Sequence, residues 1–182
     1  YKGRWIDPDF KKDPANDHSR QERLFDLDKA TRIRQKCLNK KAETAETVKP
    51  SKQNSPGLFD LTSLQREANS LFGLSASQTL SVAQALYEKH KVVTYPRTSS
   101  RHLPEDYLEP TKKIFASISE ESLAPFAREA IAKKYVQPDK KIFDDKKISD
   151  HHAIILTETS PKSLRDIELK IYRLIAQRFL AV

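Results

Sequence analysis

A tyrosine, a proline and an arginine stand together where they could do chemistry, in the run Val92-Val93-Thr94-Tyr95-Pro96-Arg97-Thr98-Ser99-Ser100. The β-branched residues favour an extended chain, and Pro96 pushes Tyr95 out of the helical region. Side chains two apart on an extended chain point the same way, so Tyr95 and Arg97 are expected to face one common point. A guanidinium beside a phenol favours the phenolate and also grips a phosphate. That pairing suits attack on a phosphodiester. A free phenol ionises only near pH ~10, so such a tyrosine needs help, from Arg97 and from a divalent cation held elsewhere. The same residues also fit a plain sheet-edge tyrosine beside a solvated arginine.

A second polar cluster lies at Asp150-His151-His152-Ala153-Ile154-Ile155. Adjacent histidines diverge, and no third ligand stands at a metal-site spacing, so neither is read as a metal ligand. A histidine that hydrogen-bonds a phosphate or protonates a leaving oxygen fits the pattern better. Cys37 is the sole cysteine, which leaves no disulfide framework and no thiolate cluster.

The elements that must position these residues are mostly helical. Thr62-x-x-Gln65 predicts a capping box for a helix with Leu64, Ala68 and Leu71 on its inner face. Gly73 suits a left-handed stop, and Ser75-x-x-Gln78 caps a second helix through Leu80, Ala83, Leu86 and Tyr87. A short β-element then delivers Tyr95. Further helices are predicted over Leu108 to Ile118, Leu123 to Tyr135 and Pro161 to Leu180. Before Leu58 the signals are weaker. Tyr1 to Trp5 reads as a strand, Leu24 to Leu38 as a helix with Leu24, Leu27, Ala30, Ile33 and Cys37 on one face, and Lys40 to Ser55 as an exposed strand or a linker. The expected division is therefore 1–57 and 58–182, in a mainly α (α+β) fold.

The net charge of +8 favours an acidic partner, of which nucleic acid is the usual one. Residues 1–57 hold 14 Lys and Arg against 9 Asp and Glu, and residues 58–182 hold 19 against 16. The basic excess does not sit with the sharpest motifs, so placement must matter more than total charge. No apolar run approaches the ~20 residues that span a bilayer, so no membrane partner is expected and a reducing, cytoplasmic setting fits. The chain contains no methionine and reads as a piece of a longer protein.

Taken in order, three motifs resemble the type IA DNA topoisomerases, especially their topoisomerase III-like branch. Phe59-Asp60-Leu61-Thr62-Ser63-Leu64-Gln65 followed by Phe72-Gly73-Leu74-Ser75 is similar to the helical entry to that family's catalytic domain. Gln84-x-Leu86-Tyr87-Glu88 and then Val93-Thr94-Tyr95-x-Arg97-Thr98-Ser99-Ser100 resembles its active-site signature. Asp150-His151-His152-Ala153-Ile154-Ile155 resembles its second motif. Residues 1–57 resemble the arch strands more loosely, through Lys2-x-x-Trp5 and Leu24-Phe25-Asp26. Two positions depart from the pattern: Ser99 stands where many members have aspartate, and Leu156 where a proline usually closes the second motif.

The resemblance implies a partial β arch segment over 1–57 and a winged-helix-like, tyrosine-bearing domain over 58–182. It implies that Tyr95 attacks single-stranded DNA, that the break is held as a 5′-phosphotyrosine, and that resealing needs no ATP. Catalytic roles fall on Tyr95, Arg97 and His151, and DNA contacts on Arg97, Thr98, Arg101 and His151. Mg²⁺ is implied for the intact enzyme, with ligands in a separate domain that nothing here resembles. The expected partners are single-stranded DNA and the remaining domains, and the chain alone is expected to be inactive. Other readings of the same residues are a non-catalytic helix-turn-helix module that binds duplex DNA, and an interaction domain with a structural tyrosine.

Overall fold

A computed structural model describes residues 3–51 and 53–182, and divides the chain into two compact units, Tyr1–Ser51 and Lys52–Val182. In the first unit one helix forms, α1 (Leu27–Cys37), where Asp26 accepts a hydrogen bond from the Lys29 amide at 2.9 Å. Lys29 Nζ also reaches Asp7 Oδ2 at 3.1 Å. The expected apolar face exists in sequence, yet no residue of α1 is buried and Leu27 is 79% exposed. A unit this short supplies too little apolar surface to enclose a helix face. Residues 3–5 and 40–51 form no strand; Tyr1 and Lys2, the start of the expected first strand, lie outside the described residues.

The second unit carries the core and is mainly helical: α2 (Leu61–Phe72), α3 (Ala76–Glu88), α4 (Leu108–Ser117), α5 (Ala124–Ala132) and α6 (Asp166–Ala181), with 3₁₀ turns at Glu105–Tyr107 and Asp145–Lys147. α2 starts one residue before the expected cap. Asp60 is the N-cap, accepting from the Ser63 amide at 2.7 Å while Ser63 Oγ accepts from the Asp60 amide at 3.2 Å. Thr62 therefore lies inside the first turn, and Gln65 instead donates to the Ala76 carbonyl at 3.0 Å, joining α2 to α3. Leu64 and Ala68 are buried as expected, but Leu71 is 58% exposed and Phe72 takes the inner place.

Gly73 stops α2 at φ 68°, and a Cβ there would meet nothing within 4 Å, so the demand on this glycine is conformational rather than steric. The Ser75 and Gln78 box closes with both bonds in place, at 3.2 and 2.9 Å. α3 then buries Thr79, Ala83 and Leu86 and packs against α2 and α6. α6 begins at Asp166, five residues later than the periodicity suggests, where the Glu168 carboxylate reaches back to accept from the amide of the N-cap residue Arg165 at 2.8 Å. Its inner face holds Ile171, Leu174, Ile175 and Phe179. The ring of Phe179 meets Phe115 of α4 edge-on at 5.0 Å.

The expected β-element before Tyr95 is reduced to isolated bridges. Val93 pairs antiparallel with Leu156, and Phe59 with Ile154. Thr94 explains why the ladder stops there. Its amide donates to the Ile155 carbonyl at 2.9 Å, but the reciprocal bond is diverted: the Ile155 amide donates to Thr94 Oγ1 at 3.0 Å, not to the carbonyl. The helices α2, α3 and α6 with these bridged segments belong to a mainly α fold.

Candidate active site

Two segments distant in sequence, 92–102 and 151–157, are fastened side by side. Besides its bonds to Ile155, Thr94 Oγ1 donates to the Ala153 carbonyl at 3.0 Å. Thr98 Oγ1 donates to the His151 carbonyl at 2.8 Å and accepts from the Ser100 amide at 3.0 Å. The Ala153 amide donates to the His102 carbonyl at 3.0 Å. Val93, Ala153, Ile154 and Ile155 are all buried beneath this seam, so apolar packing holds both segments down while hydroxyls set their register.

Tyr95 emerges half-buried from that seam. Its ring lies 4.3 Å from the His151 ring, tilted at 44°, and meets Tyr87 of α3 edge to face at 5.4 Å. Arg97 is exposed. In the amide orientation that satisfies both groups, the Gln84 oxygen accepts from Arg97 Nη2 at 3.1 Å and from Nε at 3.3 Å. Gln84 and Tyr87 are one turn apart on α3, so Tyr95 and Arg97 lie against one stretch of one helix.

The nature of that support matters. Gln84 is neutral, and among the described residues no carboxylate lies within 4.0 Å of the Arg97 guanidinium. Its orientation is fixed while its charge stays uncancelled, and the free edge faces solvent. An exposed, oriented guanidinium beside a phenol and an exposed imidazole can receive a phosphate.

The remaining candidates go elsewhere. Thr98 is buried, and its hydroxyl donates to the His151 carbonyl, which ties the backbone of His151 to the Tyr95 segment. Arg101 turns away to donate from Nε to the Leu58 carbonyl at 3.0 Å. His152 is half-buried with Nδ1 2.9 Å from the Ala153 carbonyl, and its ring packs on Tyr107 at 4.8 Å. Burial holds its imidazole below the usual histidine range, against the raising effect of that carbonyl. The sequence placed Gln84 and Thr94 within the motif that resembles the family's signature but gave neither a role of its own. The contact of Gln84 with Arg97 is made through the register of α3 against the extended segment, eleven residues before the tyrosine.

No three His, Cys, Asp or Glu side chains converge as metal ligands among the described residues. The donor set here does not fit Mg²⁺. Among the described residues no helix is long and apolar enough to cross a membrane.

The comparisons with known proteins follow the same line. A family model described as DNA topoisomerase matches residues 5–182. DNA topoisomerase 3 of Bacillus subtilis (strain 168) is 45% identical over 167 residues, covering 90% of this chain and 23% of that protein. DNA topoisomerase 3 of Bacillus cereus is 43% identical over 171 residues, covering 92% of this chain and 23% of its own length. In fold, the chain is similar to full-length topoisomerase I of Thermotoga maritima, with a TM-score of 0.54 at 24% identity over 88% of this chain and 26% of that one. The chain thus spans about a quarter of the length of the relatives it matches. On these matches and motifs it belongs to the DNA topoisomerase family, among the type IA, topoisomerase III-like members.

Proposed function

We propose that the longer protein to which this chain corresponds cuts one strand of DNA through Tyr95 and reseals it. The Tyr95 Oη attacks a backbone phosphorus, the bond to the 3′-side oxygen breaks, and a 5′-phosphotyrosine and a free 3′-hydroxyl result. A second strand passes through the gap. The hydroxyl then attacks the phosphotyrosine and expels the tyrosine. One ester is exchanged for another in each direction, so no ATP is consumed. The observation that carries this reading is the stacking of Tyr95 on His151 beside an arginine oriented by a neutral amide.

Arg97 stabilises the extra charge of the pentacoordinate phosphate. His151 hydrogen-bonds the phosphate or protonates the leaving oxygen, held in place by Thr98. Arg101 contacts the strand further along. Residues 58–182 act as the tyrosine-bearing domain and residues 1–57 as part of the arch. Single-stranded DNA and the other domains are the partners, and the setting is cytoplasmic. Mg²⁺ in the intact enzyme would take its ligands outside this chain, and without them the 182 residues alone are inactive. A duplex-reading helix-turn-helix is less well supported: the exposed first turn of α3, Ala76, Ser77 and Gln78, carries no positive charge.

The polarity of the break tests the reading. With the intact protein and single-stranded oligonucleotides labelled at either end, the trapped adduct should retain only the 3′-end label. Peptide mapping should place the phosphate on Tyr95. Retention of the 5′-end label would sink the assignment.

Gln84 supplies a second test. Gln84→Glu keeps an acceptor for Arg97 and should make the stronger bond, yet it cancels the charge that a phosphate needs. Affinity for a single-stranded oligonucleotide should fall about tenfold and the salt slope should flatten by about 0.7. Fluorescence anisotropy between low and moderate salt measures both, and unchanged binding would free Arg97 of the role given to it.

A further inference from the structure

Six residues past Tyr95, the chain reaches Arg101 and a second polar hollow. It is a shallow, open depression of about 390 Å³, lined by Ser63, Arg66 and Glu67 of α2, by Arg101, and by Arg178 of α6. Three guanidiniums face one carboxylate. Like charges around one space repel each other, so each should have a partner unless the hollow has an occupant.

Arg178 and Glu67 satisfy one another by a short ion pair. Arg178 Nη1 also donates to the Gly57 carbonyl at 3.1 Å, and its guanidinium lies 4.2 Å over the Phe59 ring. Arg101 is held through Nε by the Leu58 carbonyl, while its two terminal nitrogens have no acceptor among the described residues. Arg66, exposed on α2, has no acceptor among the described residues either. Fastening Gly57 and Leu58 to the helices explains Arg178 and one nitrogen of Arg101. It leaves Arg66 and the free fork of Arg101 unexplained.

We propose that this hollow is a second phosphate-binding site, and that its ligand is a backbone phosphate of the same strand that Tyr95 attacks. This rests on the reading of Tyr95 given above. Arg66 and the free edge of Arg101 present fork donors suited to phosphate oxygens. No aromatic or apolar side chain lines the hollow to hold a base or sugar, which favours a polymer phosphate over a free nucleotide. The Leu61 amide donates to the Thr98 carbonyl at 3.0 Å, joining the start of α2 to the segment between Arg97 and Arg101. Arg101 stands four positions after Arg97, at most ~14 Å along the chain. A strand lying along the segment meets Arg97 first and the hollow within about four nucleotides.

The test uses the full-length protein, an Arg66→Gln/Arg101→Gln double variant, and Arg97→Ala as a control. Single-stranded oligonucleotides sharing one cleavage site are lengthened one nucleotide at a time on each side of it. Anisotropy is read across a salt series, and adduct yield is read in parallel. Beyond a threshold length on one side, the double variant should bind about tenfold more weakly, with a salt slope shallower by about 1.4. The deficit in binding and in adduct yield should grow across that length, because shorter strands do not reach the hollow. Arg101→Lys drops the bond to Leu58 but keeps the charge, and should retain most of the slope. Equal slopes at every length would overturn the proposal, and Arg97→Ala weakening all lengths in the same series would leave the Tyr95 reading standing. If Arg97→Ala also has no effect, both fail. If the double variant binds long strands normally but loses thermal stabilisation by inorganic phosphate, the hollow is a free-anion site and the strand assignment is overturned.

Discussion

Tyr95→Phe in the intact protein should abolish the covalent DNA adduct while leaving the fold in place. The expected loss is complete within detection, because the hydroxyl removed is the atom that forms the bond in the proposed reaction. The hydroxyls of Thr94 and Thr98 are committed to backbone carbonyls across the seam. The fold should not notice. Tyr95 is held by ring contacts with His151 and Tyr87, and phenylalanine keeps both. Stability should change by no more than about 0.5 kcal/mol. Denaturing gels with a labelled oligonucleotide measure the adduct, and thermal melting measures the fold. An adduct surviving in the variant would remove Tyr95 from the chemistry. A large drop in melting temperature would mean that the lost adduct reflects unfolding.

Glu168→Gln should produce the largest change in stability. Glu168 is 1% exposed and accepts from the Arg165 amide at 2.8 Å, from Arg165 Nε at 2.9 Å and from Nη2 at 2.6 Å. His90 Nε2, just past the end of α3, lies 3.4 Å from its other oxygen. The Arg165 hydrogen bonds, outweighing burial, hold the Glu168 carboxyl at about 2, below its ordinary value of 4.5. A depressed carboxyl stabilises the fold above its unfolded value, and that contribution fades as the pH falls from 4.5 through about 2. At neutral pH it amounts to about 1–2 kcal/mol, because the Arg165 guanidinium that holds the carboxylate is itself mostly exposed and screened by solvent. Urea titrations of the chain and the variant should differ by that amount at pH ~7, with the gap closing over the acid range. A gap that does not change with pH would show that packing, not charge, is lost.

Much of the second unit could be read directly from the residues, because its helices carry their punctuation locally. Gly73, the Ser75 and Gln78 box and the apolar period of α6 each act within a few residues of themselves. The errors fell where two local signals competed. Thr62 and Asp60 are both good caps, and the burial of Phe72 rather than Leu71 settled the frame in favour of Asp60. The first unit gave a helix but not its burial, since an apolar stripe says nothing of whether enough partners are present to cover it. At the site, Tyr95, Arg97 and His151 were visible as residue types suited to phosphate chemistry. Their juxtaposition was not, because it depends on threonine bonds spanning more than fifty positions. The inward turn of Thr98 and the reach of Gln84 to Arg97 are products of that packing.

The seam beside Tyr95 has a mechanical consequence. In the proposed reaction the tyrosine is the rope end to which a DNA strand under tension is tied. A pull on the phosphotyrosine enters the backbone at residue 95, where Thr94 and Val92 are bonded to Ile155 and Thr157 across the antiparallel bridge. Those bonds run perpendicular to the segment, so a pull along it loads them in shear and together, not one after another as in unzipping. Thr98 and His102 grip the same partner segment on the other side of the tyrosine. Anchored on both sides, the attachment point can bear a strand being moved without being peeled from the domain.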